Sequence, residues 1–213
     1  MRRHEQLSGG GGRLTVMVDR CVKKRTVDSL GKTLFRLRNL LASLPLVYAL
    51  LSTRWEFEDE WVVWPLATAL TLAGFALRSW ASAHSYYRRE RERRLARTGP
   101  YALIRNPLYA GNLLIIAGLT LASELAWLLP IALIWVWAVY SLVCIGYEER
   151  RLLRWYGEEY RQYRSAVPAW IPVGTAIAGS GPLPWRLLMS ETPKFLLLLP
   201  FLLKELDWPG LGH

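Results

Sequence analysis

Residues 98–123, TGPYALIRNPLYAGNLLIIAGLTLAS, decide how this chain is read. A Gly99-Pro100 turn and the polar pair Arg105-Asn106 lead into Pro107, and from there to Ser123 no charged residue occurs. Asparagine favours the N-cap of a helix and proline its first position. The stretch therefore predicts a helix that starts at Asn106-Pro107 and runs into a membrane. Its first turn would present unpaired N–H groups and the positive end of the helix dipole. That makes it either a well-capped membrane helix and nothing more, or an anion site at the membrane edge.

Working outward, three more apolar runs appear. With the one just read, they predict spans at residues 34–53, 61–83, 107–123 and 127–147, close to the roughly 20 residues a bilayer requires. Arg36 and Arg38, near the start of the first, have stems long enough to snorkel. Breaks at Ser52-Thr53-Arg54 and Ser123-Glu124 separate the runs, and Trp55, Trp61, Trp64 and Trp127 fall near their ends, where aromatic belts lie. The chain has 213 residues, 52% of them hydrophobic, and a formal charge of +10. That charge does not point to nucleic acid, because the basic residues flank the apolar runs. The fold class is an all-α integral membrane protein of about four transmembrane helices.

Lysine and arginine set the orientation. Arg2, Arg3, Arg13, Arg20, Lys23, Lys24, Arg25 and Lys32 precede the first span. Arg88, Arg89, Arg91, Arg93, Arg94, Arg97 and Arg105 lie between the second and third, and Arg150, Arg151, Arg154, Arg161 and Arg164 follow the fourth. The two remaining loops carry only Arg54, beside Glu56, Glu58, Asp59, Glu60 and Glu124. The positive-inside rule then puts both ends of the four-span unit in the cytosol. Residues 1–33 read as a basic, disordered tail, residues 34–172 as the membrane domain, and residues 173–213 as an extension. The short run at residues 195–203, with Pro200 inside it, reads as a re-entrant or interfacial helix. Cys21 and Cys144 imply neither a disulfide nor a metal site.

The polar constellations all fall on the cytosolic side. Glu148-Glu149 follows the fourth span; acids oppose the dipole at a helix C-terminus, so the helix is expected to continue past them. Leu152, Leu153, Tyr156, Tyr160 and Tyr163 keep helical spacing and support this. Arg151 stands three residues after Glu148, a local pairing distance. Glu149 has no basic residue at the matching downstream positions, so it is either a solvated acid or a contact for something else. Arg78 lies inside the second span, where a charge snorkels, pairs or lines a cavity. Ala73, Gly74, Ala81 and Ser82 on the same run permit close helix packing. His84 reads as an interfacial histidine without chemistry, and the arginine block at 88–97 as topology and headgroup contact.

Gly99-Pro100-Tyr101, Arg105 through Gly111, Glu148-Glu149, Tyr156 through Tyr160, Tyr163 and Val167-Pro168 through Pro172 occur in that order. The ordered set resembles the isoprenylcysteine carboxyl methyltransferases and the related phospholipid methyltransferases, over about residues 74–172. The resemblance implies a membrane methyltransferase that uses S-adenosylmethionine and a lipid-soluble acceptor. The cofactor would lie mainly between residues 99–112 and 148–172. Carried over by position, Tyr101, Arg105, Asn106, Pro107, Tyr109 and Gly111 would line the cofactor site with Glu148 and Glu149. Tyr160 and Tyr163 would belong to a closing flap. Arg78 would orient the acceptor, and Glu148 would be the base for an amine or thiol acceptor, which would enter between the second and fourth spans. Two positions depart from the best-known members: Asn106 stands where they have histidine, and Cys144 where eukaryotic members have arginine. Asparagine hydrogen-bonds but does not titrate. The asparagine form looks more like the bacterial branch, which implies a prokaryotic plasma membrane. Membrane sterol reductases share a similar C-terminal pattern and use NADPH, so a reductase, or a non-catalytic scaffold, is the alternative.

Overall fold

The computed structural model of the protein describes residues 31–52, 60–86, 88, 94–125 and 127–172. Most of the tail at 1–33 and the extension at 173–213, including the run at 195–203, lie outside the described residues. Every regular element described is helical. In chain order these are α1 (Gly31–Leu51), α2 (Glu60–Tyr86), the short α3 (Pro100–Leu103), α4 (Pro107–Leu121), α5 (Leu128–Ala138), α6 (Gly146–Tyr156) and α7 (Glu158–Ala166). A π-helical segment, Val139–Ile145, joins α5 to α6 without a break.

Three of these stretches, Gly31–Leu51, Val62–Tyr86 and Leu128–Tyr156, are long and apolar enough to cross a membrane. The remaining expected span, the third in chain order, is α4, which has 15 residues. At 1.5 Å per residue it is about 22 Å long, short of the roughly 30 Å hydrocarbon core. α4 ends early because Ser123-Glu124 turns the chain, with Glu124 at φ 60°. The helix expected to continue through Glu148-Glu149 does so, as far as Tyr156.

α4 is short but tightly held. A Cβ built on Gly74 would lie 2.7 Å from the Gly111 carbonyl oxygen, and one on Gly111 would lie 2.9 Å from the Gly74 carbonyl. Two turns further along α4, Gly118 faces Thr71 and the Ala67 carbonyl at 2.2 and 2.5 Å from its absent Cβ. The Thr71 hydroxyl donates to the Ala67 carbonyl at 2.7 Å, so it costs no unsatisfied group at the crossing. Small residues let the backbones of α2 and α4 meet, the packing a membrane helix pair uses when lipid supplies no hydrophobic drive. Of the small residues expected on α2, Gly74 thus finds its counterpart in Gly111 of α4. α1 joins this core, Ala42 in one buried cluster with Ile116 of α4 and Val136 of α5, and Ala49 in another with Phe75 of α2 and Leu119 of α4. Leu51, Ile134 and Leu142 face outward, as lipid-facing residues would.

The basic end carries a separate cluster. Leu95, Tyr160 and Tyr163 are buried there, with Tyr101, Leu152, Leu153, Tyr156 and Val167 against them. It forms because Gly157, at φ +54°, reverses the chain between α6 and α7 and folds α7 back.

Candidate functional site

α4 begins at Pro107 as expected, but Asn106 makes no side-chain cap. Its amide nitrogen instead donates to the Ala169 carbonyl at 3.2 Å, and the backbone N–H of Arg105 donates to the Pro168 carbonyl at 2.8 Å. These two bonds pin the 168–169 segment to the start of α4. Pro107 has no N–H, and the amides of Tyr109 and Ala110 both donate to the Asn106 carbonyl at 3.1 Å. The α4 terminus is consequently a poorer anion trap than its sequence suggests, because its first-turn donors are largely spent inside the helix.

Glu149 does not wait for a ligand. Its Oε1 lies 3.0 Å from Arg105 and its Oε2 3.3 Å from Arg164, with Arg105 and Glu149 each only 13% exposed. The partners missing from its own helix arrive from the residue before the α4 cap and from α7. Tyr163 completes the clamp by donating its hydroxyl to the Tyr101 carbonyl at 2.7 Å. Burial is the main cause holding the Tyr160 phenol up at about 12, with the nearby Glu149 charge adding to it. The Tyr163 phenol is also raised, first by burial. Both are neutral hydrogen-bonding groups at physiological pH.

Beside this clamp lies a cleft of about 110 Å³. Glu148, Arg151, Leu152 and Trp155 form one wall; they stand at offsets of three, four and seven residues, one face of α6. Tyr101, Leu108 and Tyr163 form another, and Ser85, Leu95 and Ala96 close it. The Arg151 guanidinium lies over the Trp155 ring at 4.1 Å. Of the residues expected at a cofactor site, Tyr101, Glu148 and Tyr163 line this cleft. Arg105, Glu149 and Tyr160 brace it from behind, Asn106 and Pro107 anchor the helix start, and Gly111 sits in the α2–α4 crossing. The α6 stripe of Arg151 and Trp155 was missed, although the i, i+3, i+7 spacing from Glu148 is visible in the sequence. Arg164 carried no local signal, because only the reversal at Gly157 brings it to Glu149.

His84 is buried and does more than sit at an interface. Its Nε2 is 2.9 Å from the Thr98 hydroxyl, its ring stacks with Tyr101 at 6.2 Å, and it packs under Gly99. Gly99, at φ +59°, allows that approach.

A second hollow, of about 240 Å³, lies deeper between α1, α2, α4 and the π segment. Arg78 is in it: its guanidinium donates to the Asn112 side-chain oxygen, and the Asn112 nitrogen donates to the Tyr140 hydroxyl at 2.9 Å. Tyr140 stacks on Tyr109 with 4.5 Å between ring centroids, and Tyr109 lies close enough to Glu148 to feel its charge. The stacked pair therefore stands between the two hollows, with Tyr140 lining the deep one and Tyr109 close to the carboxylate that lines the cleft. Asn112 and Tyr140 were not expected at the site. Cys144, where the resemblance would want arginine, is fully buried within reach of the Tyr109 hydroxyl.

No curated protein and no solved structure matches the chain. Three of the helices are long and apolar enough to cross a membrane, and the family match supports a membrane methyltransferase. The segment that supplies α4, the Tyr109–Tyr140 stack, Arg78 and the Glu148 wall of the cleft, residues 66–159, matches the phospholipid methyltransferase family.

Proposed function

We propose that the protein transfers a methyl group from S-adenosylmethionine to a lipid-soluble acceptor at the cytosolic face of the membrane. The observation that carries this reading is the cleft, which gathers a carboxylate, a guanidinium and three aromatic rings around one space. Those groups fit the cofactor. Arg151 would hold its carboxylate, Glu148 its ammonium or ribose hydroxyls, and Tyr101, Trp155 and Tyr163 its adenine and positive centre. The cleft is smaller than the roughly 300–1,000 Å³ of common ligand pockets, so binding requires α7 to swing away from Leu95 and Tyr101 about Gly157. The basic end is cytosolic by the distribution of arginine.

Bound there, the cofactor supplies an electrophilic methyl group. Arg78, on the far side of the tyrosine stack, orients the acceptor. An acceptor carboxylate is ionised at neutral pH and needs no base, so the protein contributes position and exclusion of water. An amine or thiol acceptor would surrender its proton to Glu148.

Calorimetric titration of the purified protein with S-adenosylhomocysteine, with NADPH in parallel, tests the reading. Saturable binding of the first, weakened at least about tenfold in Arg151→Gln (roughly 1.4 kcal/mol), is expected. Binding of NADPH instead would move the protein to the reductases, and binding of neither by folded protein would leave a scaffold. Glu149→Ala is the wrong probe, because it breaks the clamp and not only the cleft.

A further inference from the structure

The longest helix outruns the bilayer at its basic end. Leu128–Tyr156 is unbroken over 29 residues, about 40 Å, against a hydrocarbon core of roughly 30 Å. Trp127, half-exposed just before it, stands where an interfacial aromatic belongs. Counting the roughly 20 residues that fill the core from Trp127 leads to Tyr147, so Arg150 to Tyr156 lie at headgroup depth. α6 divides those residues by face. Leu152, Leu153 and Tyr156 turn to the buried Tyr160–Tyr163 cluster, and Arg151 and Trp155 to the cleft. Arg150 and Arg154, four residues apart and both exposed, take the face left over. Among the described residues neither pairs with a carboxylate; Arg154 donates its Nε to the Arg150 carbonyl at 3.4 Å. The neighbouring arginines differ. Arg161 lies 2.8 Å from Glu158, Arg164 3.3 Å from Glu149 and Arg97 3.6 Å from Glu159. Like charges four residues apart on a helix repel, and an anion set between them reverses that.

We propose that Arg150 and Arg154, with the adjoining Trp155 ring, form a docking surface for the anionic lipid headgroups of the bilayer around α6. Arginine matches phosphate geometry with a planar fork of N–H donors, and basic residues next to a span are drawn to an anionic leaflet. Trp155, 54% exposed, supplies the amphipathic ring that suits this depth. The same helix carries Glu148 on the cleft wall, so headgroups that hold the ridge also hold the cleft at the membrane surface. The lipid contact needs no cofactor and stands apart from the methyltransferase reading.

The protein is placed in nanodiscs of equal phosphatidylcholine and phosphatidylglycerol, and the lipids it retains on release are counted by native mass spectrometry. One arginine near an anionic surface strengthens binding roughly fivefold (about 1 kcal/mol). The wild type should therefore retain phosphatidylglycerol at least about tenfold over phosphatidylcholine, and Arg150→Gln with Arg154→Gln should lose most of that preference. Arg150→Lys with Arg154→Lys, which restores the charge, should keep at least half of it. Arg97→Gln with Arg161→Gln removes as much charge from exposed arginines that are already paired, and should leave the preference unchanged. No preference in the wild type overturns the surface. Equal loss in the two glutamine double variants also overturns it, because net charge alone would then explain the effect. In thermal denaturation, phosphatidylglycerol should raise the midpoint of the wild type and not of Arg150→Gln with Arg154→Gln. An equal rise from inorganic phosphate in nanodiscs of phosphatidylcholine alone would make the ridge a site for soluble anions and overturn its assignment to a membrane surface.

Discussion

Replacing Glu149 by glutamine should destabilise the basic end of the protein by about 3 kcal/mol. The Arg105 pair is 3.0 Å long with each partner 13% exposed. At an effective dielectric of about 20, unit charges at that distance attract by about 5 kcal/mol, part of which repays desolvation. Breaking a buried pair on one side costs roughly 3–5 kcal/mol, because the remaining charge stays buried. The lower end applies here, since neither group is sealed from water. Arg164 is 51% exposed, so its share is below about 1 kcal/mol. For a chain of this size about 3 kcal/mol corresponds to a fall of roughly 6–12 °C in midpoint, read by thermal denaturation in a fixed detergent. The charge swap Arg105→Glu with Glu149→Arg should recover at least half the loss, and Arg105→Met with Glu149→Met likewise, because neither strands a charge. An unshifted midpoint in Glu149→Gln would refute the clamp. A shifted midpoint with no rescue by either double variant would show that Glu149 matters for something other than Arg105.

Gly118→Ala would push a Cβ to 2.2 Å from the Thr71 hydroxyl, and should cost about 1–3 kcal/mol by overpacking; Gly146→Ala, whose nearest neighbour is 3.9 Å away, should be neutral or stabilising in the same denaturation assay. Gly157→Ala meets open space but forces φ +54° on an alanine, so it should lose on the order of 1–3 kcal/mol to backbone strain and slow the swing of α7, seen as slower association of S-adenosylhomocysteine. Folding raises the Tyr160 pKa from 10.0 to about 12, so the neutral phenol's contribution is complete below pH about 10 and is lost as pH rises toward about 12. Tyrosinate absorbance should therefore show a late-titrating class that becomes ordinary in detergent-unfolded protein. Tyr163→Phe removes the 2.7 Å bond to the Tyr101 carbonyl, and should cost about 0.5–1.5 kcal/mol with weaker S-adenosylhomocysteine binding.

Much of the site was legible because its pieces are local. Pro107 starts its helix, the helix runs on past Glu148, and Arg78 in an apolar run does line a cavity, each for a reason contained within a few neighbouring residues. What was misjudged depends on distant chain. Asn106 is a capping residue by type, yet its amide is spent on Ala169. Glu149 looked partnerless on its own helix and is held by residues 44 positions before it and 15 after it. Tyr140 looked like an ordinary member of a membrane helix, and Asn112 was only the end of the 99–112 stretch, until Asn112 bridged Arg78 and Tyr140.

The sequence by itself determined the helices, their membrane character and the side on which the charge collects, because hydropathy, capping chemistry and lysine and arginine placement act within a window of about 20 residues. Only the tertiary structure decided which polar residues share a space. That depends on the glycine crossing of α2 and α4 and on the reversal at Gly157. It depends also on α1 closing a hollow that the family-matched segment leaves open on one side. Contacts between distant helices are set by packing, for which a linear sequence carries no local signal.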